Sequence, residues 1–177
     1  LVVGVASYAL EFFRAVPELE TVYVGVGMGS GIAGLIAVRD LLGLKVDIVG
    51  VSAANAPATA RSFAAGKPVT TPSAETFADG IATREPVAEA VELICRGAAR
   101  IIEVSEDEIA EAVRIYFDAT HQLAEGAGAA PLAALLRERA PSAPRTVGLI
   151  LSGGNIERAR FLEILGGGTP AAVPRQT

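Results

Sequence analysis

Short, almost continuously apolar runs alternate along the chain with longer segments whose apolar residues recur at helical spacing. Residues 21–26, 46–51, 100–104 and 146–151 are rich in Val, Ile and Leu. Their length predicts strands, and the lack of a polar alternate face predicts a parallel sheet covered on both sides. Between them, residues 7–16, 31–42, 56–65, 86–95, 128–139 and 155–165 predict helices. Segment 31–42 brings Ile32, Leu35, Ile36 and Leu42 towards one face, and segment 86–95 stacks Val87, Val91 and Ile94 behind Pro86, a residue suited to a first helical turn. A further helix starts after Ser105, where Ser105 and Glu108 have capping-box spacing and Ile109, Val113, Tyr116 and Phe117 follow at helical intervals. Strands alternating with helices of this length predict an α/β domain, a mostly parallel sheet with helices on both faces. Residues 166–177 are rich in Gly and Pro with little to bury, and are expected to form a flexible tail.

Composition narrows the chemistry. The 177 residues are 51% hydrophobic with a net charge of −5, which excludes a disordered chain. The acidic balance argues against nucleic acid as a partner. A single Cys and a single His argue against a disulfide framework, a zinc site or a Ser-His-Asp triad. No apolar run is long enough for a membrane span. The first residue is Leu1 and no signal-peptide pattern follows, so a cytoplasmic protein, and a fragment of a longer one, is expected.

The most informative segment is Val26-Gly27-Met28-Gly29-Ser30-Gly31-Ile32-Ala33-Gly34, between a predicted strand and a predicted helix. Glycines permit a tight turn and close approach of a ligand, and a helix start offers unpaired N–H groups to an anion. Ser30 adds a hydroxyl. The same glycines satisfy a dinucleotide fingerprint, but that reading needs an acidic residue at the end of the next strand. The chain there reads Gly50-Val51-Ser52-Ala53, and the nearest acid, Asp47, lies within the strand. A nicotinamide-binding oxidoreductase domain is therefore a distant alternative. A second turn, Leu151-Ser152-Gly153-Gly154-Asn155, also follows a strand and precedes a helix. Its plain reading is a helix approach capped by Asn155. Two such turns together suggest a phosphorylated, ring-bearing cofactor spanning them. A third small-residue cluster, 124–130, contains Glu125, which is either a half-buried polar partner near the site or a solvated helix-end charge.

Four stretches, Gly27-Met28-Gly29-Ser30-Gly31-Ile32-Ala33-Gly34, Ala78-Asp79-Gly80-Ile81-Ala82, Ala124-Glu125-Gly126-Ala127-Gly128-Ala129 and Leu151-Ser152-Gly153-Gly154-Asn155, resemble in order and spacing the threonine dehydratase and serine racemase group of pyridoxal-phosphate enzymes. The resemblance implies the tryptophan-synthase-β-like fold (fold type II), with residues 1–165 as the C-terminal half and most of the large cofactor-binding domain. It implies that Gly27, Met28, Gly29, Ser30 and Gly31 cradle the phosphate of pyridoxal 5′-phosphate. Ser152 would meet the pyridine nitrogen, and Glu125 would support the site from behind. Met28 and Ser30 stand where relatives usually carry glycine.

The implied activity is β-elimination from a β-hydroxy amino acid such as threonine or serine, giving a 2-keto acid and ammonia. A serine racemase or a 3-hydroxyaspartate dehydratase of the same fold is the nearer alternative. The resemblance also implies a Schiff-base lysine in an N-terminal half. Lys45 and Lys67, the two lysines present, lie in unmatched contexts and are expected to be surface charges. No catalytic residue is thus expected in this chain, which by itself would be an inactive binding fragment. The whole protein would be a homo-oligomer, dimer or tetramer, acting on a small amino acid. The carboxylate-bearing metal site of some relatives would fall on residues 52–58, which hold no Asp or Glu, so no metal is expected there.

Other conspicuous residues have plainer expectations. His121 is expected at a helix end, Cys95 as a buried small hydrophobe, and Tyr8, Phe12 and Phe13 as packing. Arg96 and Arg100 are expected to face solvent.

Overall fold

The structure, a computed structural model, describes residues 2–138 and 145–172. In chain order its elements are α1 (Val2–Ala15), β1 (Thr21–Gly25), α2 (Ser30–Leu41), β2 (Asp47–Ala53), α3 (Ala58–Ala65), α4 (Ala88–Gly97), β3 (Arg100–Val104), α5 (Glu106–Thr120), α6 (Gly126–Glu138), β4 (Val147–Leu149) and α7 (Arg158–Leu165). A single 3₁₀ turn, Asp79–Ile81, interrupts the long connection between α3 and α4. The strands form one sheet in the order β3-β2-β1-β4, and every pairing is parallel.

Each face of the sheet is buried under its own core. Val22, Val24 and Ile48 pack with Ile32, Leu35 and Ile36 of α2 and Ile94 of α4. Tyr23, Val49 and Val51 pack on the other side with Ala127, Ala130 and Ala134 of α6 and Ile109 and Val113 of α5. Burial on both faces is the reason the strands carry no polar alternation. The α/β architecture expected from the pattern is therefore the one observed.

Helix starts differ from expectation by two to five residues at α1, α3, α4, α6 and α7. The Pro86 helix begins at Ala88 with Val87 as its N-cap, so Pro86 stands before the helix. The last helix begins at Arg158 behind Glu157, and Asn155 does not cap it. The first helix reaches back to Val2. The Ser105 box forms as the spacing predicts. Glu108 N donates to Ser105 Oγ at 3.2 Å, and Ser105 N donates to Glu108 Oε2 at 2.7 Å. His121 ends that helix in the left-handed region with φ 56°.

Arg139, the expected end of α6, and residues 173–177 lie outside the described residues. Within 166–172, Thr169 Oγ1 donates to Asp107 Oδ1 at 2.6 Å and Gly168 O accepts from Arg114 at 3.3 Å.

Strand order decides where a ligand can sit. The chain leaves β1 through α2 to β2 on one side, while β4 joins β1 on the other. Segments leaving the carboxyl ends of β1 and β4 must then diverge to opposite faces, and a crevice opens between them. The two glycine turns of the sequence follow β1 and β4.

Candidate functional site

The turn after β1 has the backbone features that an anion seat requires. Gly29 is the N-cap of α2 at φ 93°, a conformation that an L side chain rarely adopts. Among the described residues, the amides of Met28, Gly29 and Ser30 meet no backbone acceptor, and the helix bonds begin with Ala33 N to Gly29 O at 3.0 Å. Orphan N–H groups at the positive end of a helix form a ready seat for negative charge. The glycines also admit close neighbours. A Cβ on Gly27 would lie 2.6 Å from the carbonyl oxygen of Gly80.

The structure corrects one expectation about this turn. The missing side chain of Gly29 faces Ile94 and Ala90 of α4, at 3.1 and 3.2 Å from an added Cβ. Gly29 is thus needed for its backbone angle and its packing, and not to clear the ligand's path.

The turn after β4 lies beside the first, because β1 and β4 are paired neighbours. Glu125, just before α6, braces it. Its amide donates to Gly153 O at 3.1 Å, and its Oε2 accepts from Asn155 N at 2.9 Å. A Cβ on Gly153 would sit 2.6 Å from Glu125 Oε1. Of the two readings that sequence left open for Glu125, the half-buried partner is the one observed.

Both turns line one cavity of about 770 Å³. Gly27, Met28, Gly29, Ser30, Gly31, Glu125 and Ser152 all line it, and Val24, Ile81, Ala127 and Leu151 supply apolar lining. All seven residues singled out in the sequence therefore meet, as does the Gly80-Ile81 segment of the resemblance. A volume of this order suits a small cofactor together with a small substrate.

Tyr8 packs against the α2-side core as expected, and it also lines the cavity, where its hydroxyl donates to Gly31 O at 2.9 Å. Burial pushes its pKa up to about 12, so it remains a donor at neutral pH. Thr59, which sequence did not suggest, donates from Oγ1 to Gly27 O at 3.2 Å. The legible signal for Tyr8 was a hydroxyl on an otherwise apolar helix face, which needs an acceptor when buried. Phe12 and Phe13 do pack in the core. Cys95 is half-buried, not buried, and lies 3.8 Å from Phe63 O.

Arg100 is not a solvated charge either. It makes a two-pronged bond to Glu138, with Nε to Oε1 at 2.8 Å and a terminal nitrogen to Oε2 at 2.6 Å. Tyr23 donates to the same carboxylate at 2.5 Å. Arg96, Lys45 and Lys67 are exposed as expected. Asp47 opens β2, opposite Thr21, at the far end of the sheet from the glycine turns. Residues 50–53, the end of β2, carry no acidic side chain. Among the described residues, no group of three His, Cys, Asp or Glu side chains is placed to hold a metal ion.

Comparison with known proteins matches this geometry. Residues 1–153 match the family described as pyridoxal-phosphate dependent enzyme. The chain is 36% identical over 154 residues to an L-threonine ammonia-lyase of Geobacter sulfurreducens, covering 87% of this chain and 38% of that protein. It is 33% identical over 166 residues to a phenylserine dehydratase of Ralstonia pickettii, covering 93% and 51%. The crystal structure of a T.th. threonine deaminase superposes with a TM-score of 0.82 at 31% identity, over 88% of this chain and 58% of that one. A maize serine racemase shares the fold, with a TM-score of 0.82 at 24% identity over 94% and 52%. The chain thus spans between 38% and 51% of the length of these two curated relatives.

Proposed function

The chain belongs to the pyridoxal-phosphate dependent enzyme family, and from that premise we propose that the whole protein is an ammonia-lyase that eliminates water from threonine or serine to give a 2-keto acid and ammonia. The observation that carries the reading is the meeting of the amide-bearing turn 27–31 and the Ser152 turn on one cavity at the carboxyl edge of the sheet.

The residues present fit the cofactor. The free amides of Met28, Gly29 and Ser30, with the Ser30 hydroxyl nearby, suit a phosphate monoester. The apolar lining from Val24, Ile81, Ala127 and Leu151 suits a flat ring and limits water around it. Pyridoxal phosphate, when bound, supplies an electron sink for the Cα of an amino acid. Ser152 is the ring-nitrogen partner in this reading. A neutral hydroxyl does not hold that nitrogen protonated as a carboxylate would, so the sink stays shallow and prompt loss of a β-hydroxyl is favoured. Glu125 keeps Ser152 in place through Gly153 and Asn155.

Residues 1–165 are in this reading the C-terminal half of the enzyme. Lys45 and Lys67 are exposed and neither lines the cavity, which supports a lysine supplied by another part of the protein. The whole protein would be a cytoplasmic homo-oligomer, dimer or tetramer, with a free amino acid as its substrate. The test is product analysis. Purified whole protein should release ammonia and 2-keto acid from L-threonine or L-serine. Inversion of serine without keto acid would move the assignment to a racemase, and failure to retain cofactor would overturn it.

A further inference from the structure

Segment 27–31 leaves β1 and enters the first turn of α2, and glycines at 27 and 29 precede the helix, so the peptide units there resist rotation weakly. An anion seat needs those units oriented, because a carbonyl oxygen turned inward would repel the charge that the amides attract. Something outside the turn must then hold it. Two side chains from different elements do so at its two ends. Tyr8 of α1 donates to Gly31 O at 2.9 Å, and Thr59 of α3 donates to Gly27 O at 3.2 Å. Thr59 is 3% exposed, so its bond is shielded from water. An added Cβ on Gly31 would come no nearer than 3.8 Å to the Tyr8 hydroxyl, so the contact is a hydrogen bond across open space and not a steric jam.

We propose that Tyr8 and Thr59 are positioning residues that tether the carbonyls at both ends of the turn, and so hold the amides of residues 28–30 towards a phosphate monoester. Neither hydroxyl is assigned a contact with the reacting atoms. The inference rests on the reading of this cavity as the pyridoxal-phosphate seat. It adds that α1 and α3, which flank the turn, set its affinity for the phosphate.

The test compares two ligands on the whole protein, pyridoxal 5′-phosphate and pyridoxal, which differ only in the phosphate. Tyr8→Phe and Thr59→Val each remove one tether. Loss of one such bond should weaken pyridoxal 5′-phosphate by about fivefold, while pyridoxal changes by less than about twofold. The ³¹P resonance of the bound cofactor should also shift in each variant. If both ligands weaken equally, the two residues serve only the fold and the proposal is overturned. If the affinity ratio and the ³¹P resonance stay at parental values, it is overturned as well. If the parent itself binds pyridoxal as tightly as pyridoxal 5′-phosphate, the seat assignment fails instead, which is a distinguishable result.

Discussion

The two ends of the same sheet are built on opposite rules. At the carboxyl edge, backbone predominates: glycine turns, orphan amides, and a cavity between β1 and β4. At the amino edge, side chains pair with one another around a smaller cavity of about 320 Å³. Tyr23, Arg100 and Glu138 satisfy one another, and Arg100 also lies 5.9 Å from the centre of the Tyr23 ring. Burial and the Glu138 bond push the Tyr23 pKa up to about 12, and the Arg100 bond holds the Glu138 carboxyl below its ordinary range. The difference teaches that one end spends its polar groups on stability while the other leaves them available to a ligand.

Breaking the open end should have the largest effect. Gly29→Val forces a β-branched residue to φ 93° and into α4, about 2–3 kcal/mol of strain, so cofactor affinity should fall by roughly a hundredfold. The measurement is cofactor stoichiometry after dialysis of the whole protein, and unchanged content would refute the role of the turn. Ser152→Ala should come next. Turnover per bound cofactor should drop about tenfold or more while retention changes little. Loss of cofactor with normal turnover per occupied site would contradict the assignment.

At the closed end the effect should be smaller and of another kind. Arg100→Met removes a pair whose members are 40% and 31% exposed, so solvent screening limits the loss to about 1 kcal/mol, or about 2–4 °C in melting temperature. Cofactor affinity should not move, and a change there would mean that the two ends are coupled.

The smallest effects concern pH, and they should slope in opposite directions. Glu138 has a lowered pKa, so its contribution is present above the ordinary 4.5 and is lost as pH falls through the lower folded value. Glu106, beside the carboxyl edge, is the reverse. Burial raises its pKa against the bonds it accepts from Phe77 N and Thr76 Oγ1, both at 2.9 Å, and its Oε1 is buried without a partner. Its contribution is present below 4.5 and is lost as pH rises through the raised value. Relative to the parent, Glu138→Gln should lose stability as pH rises from about 3 to 6, and Glu106→Gln should gain it from about 4 to 7. Denaturant titrations across that range check both, and slopes of the same sign would contradict them.

Much of the site was legible before the fold. The strands announced themselves through β-branched apolar runs, the Ser105 box through its spacing, and both turns through glycine between strand and helix. Each signal is local, spanning a few residues. The tethers and locks were not legible. Tyr8 finds Gly31 across 23 positions, Thr59 finds Gly27 across 32, and Tyr23 finds Glu138 across 115. Arg100 beside Gly97 reads as a solvated charge until α6 returns to cover it. Glu125 was undecidable for the same reason, since its partners, Gly153 and Asn155, arrive with β4.

Taken alone, the chain's residues determine the α/β class, the positions of the turns and the chemistry those turns can offer, because helix, strand and glycine preferences act between near neighbours. The three-dimensional arrangement settled that the turns face one cavity, that the Gly29 hydrogen points at α4, and that Tyr8, packed against the core, holds a carbonyl with its hydroxyl. Those outcomes depend on strand order, and strand order is settled by how two separate cores bury their surfaces over the whole domain.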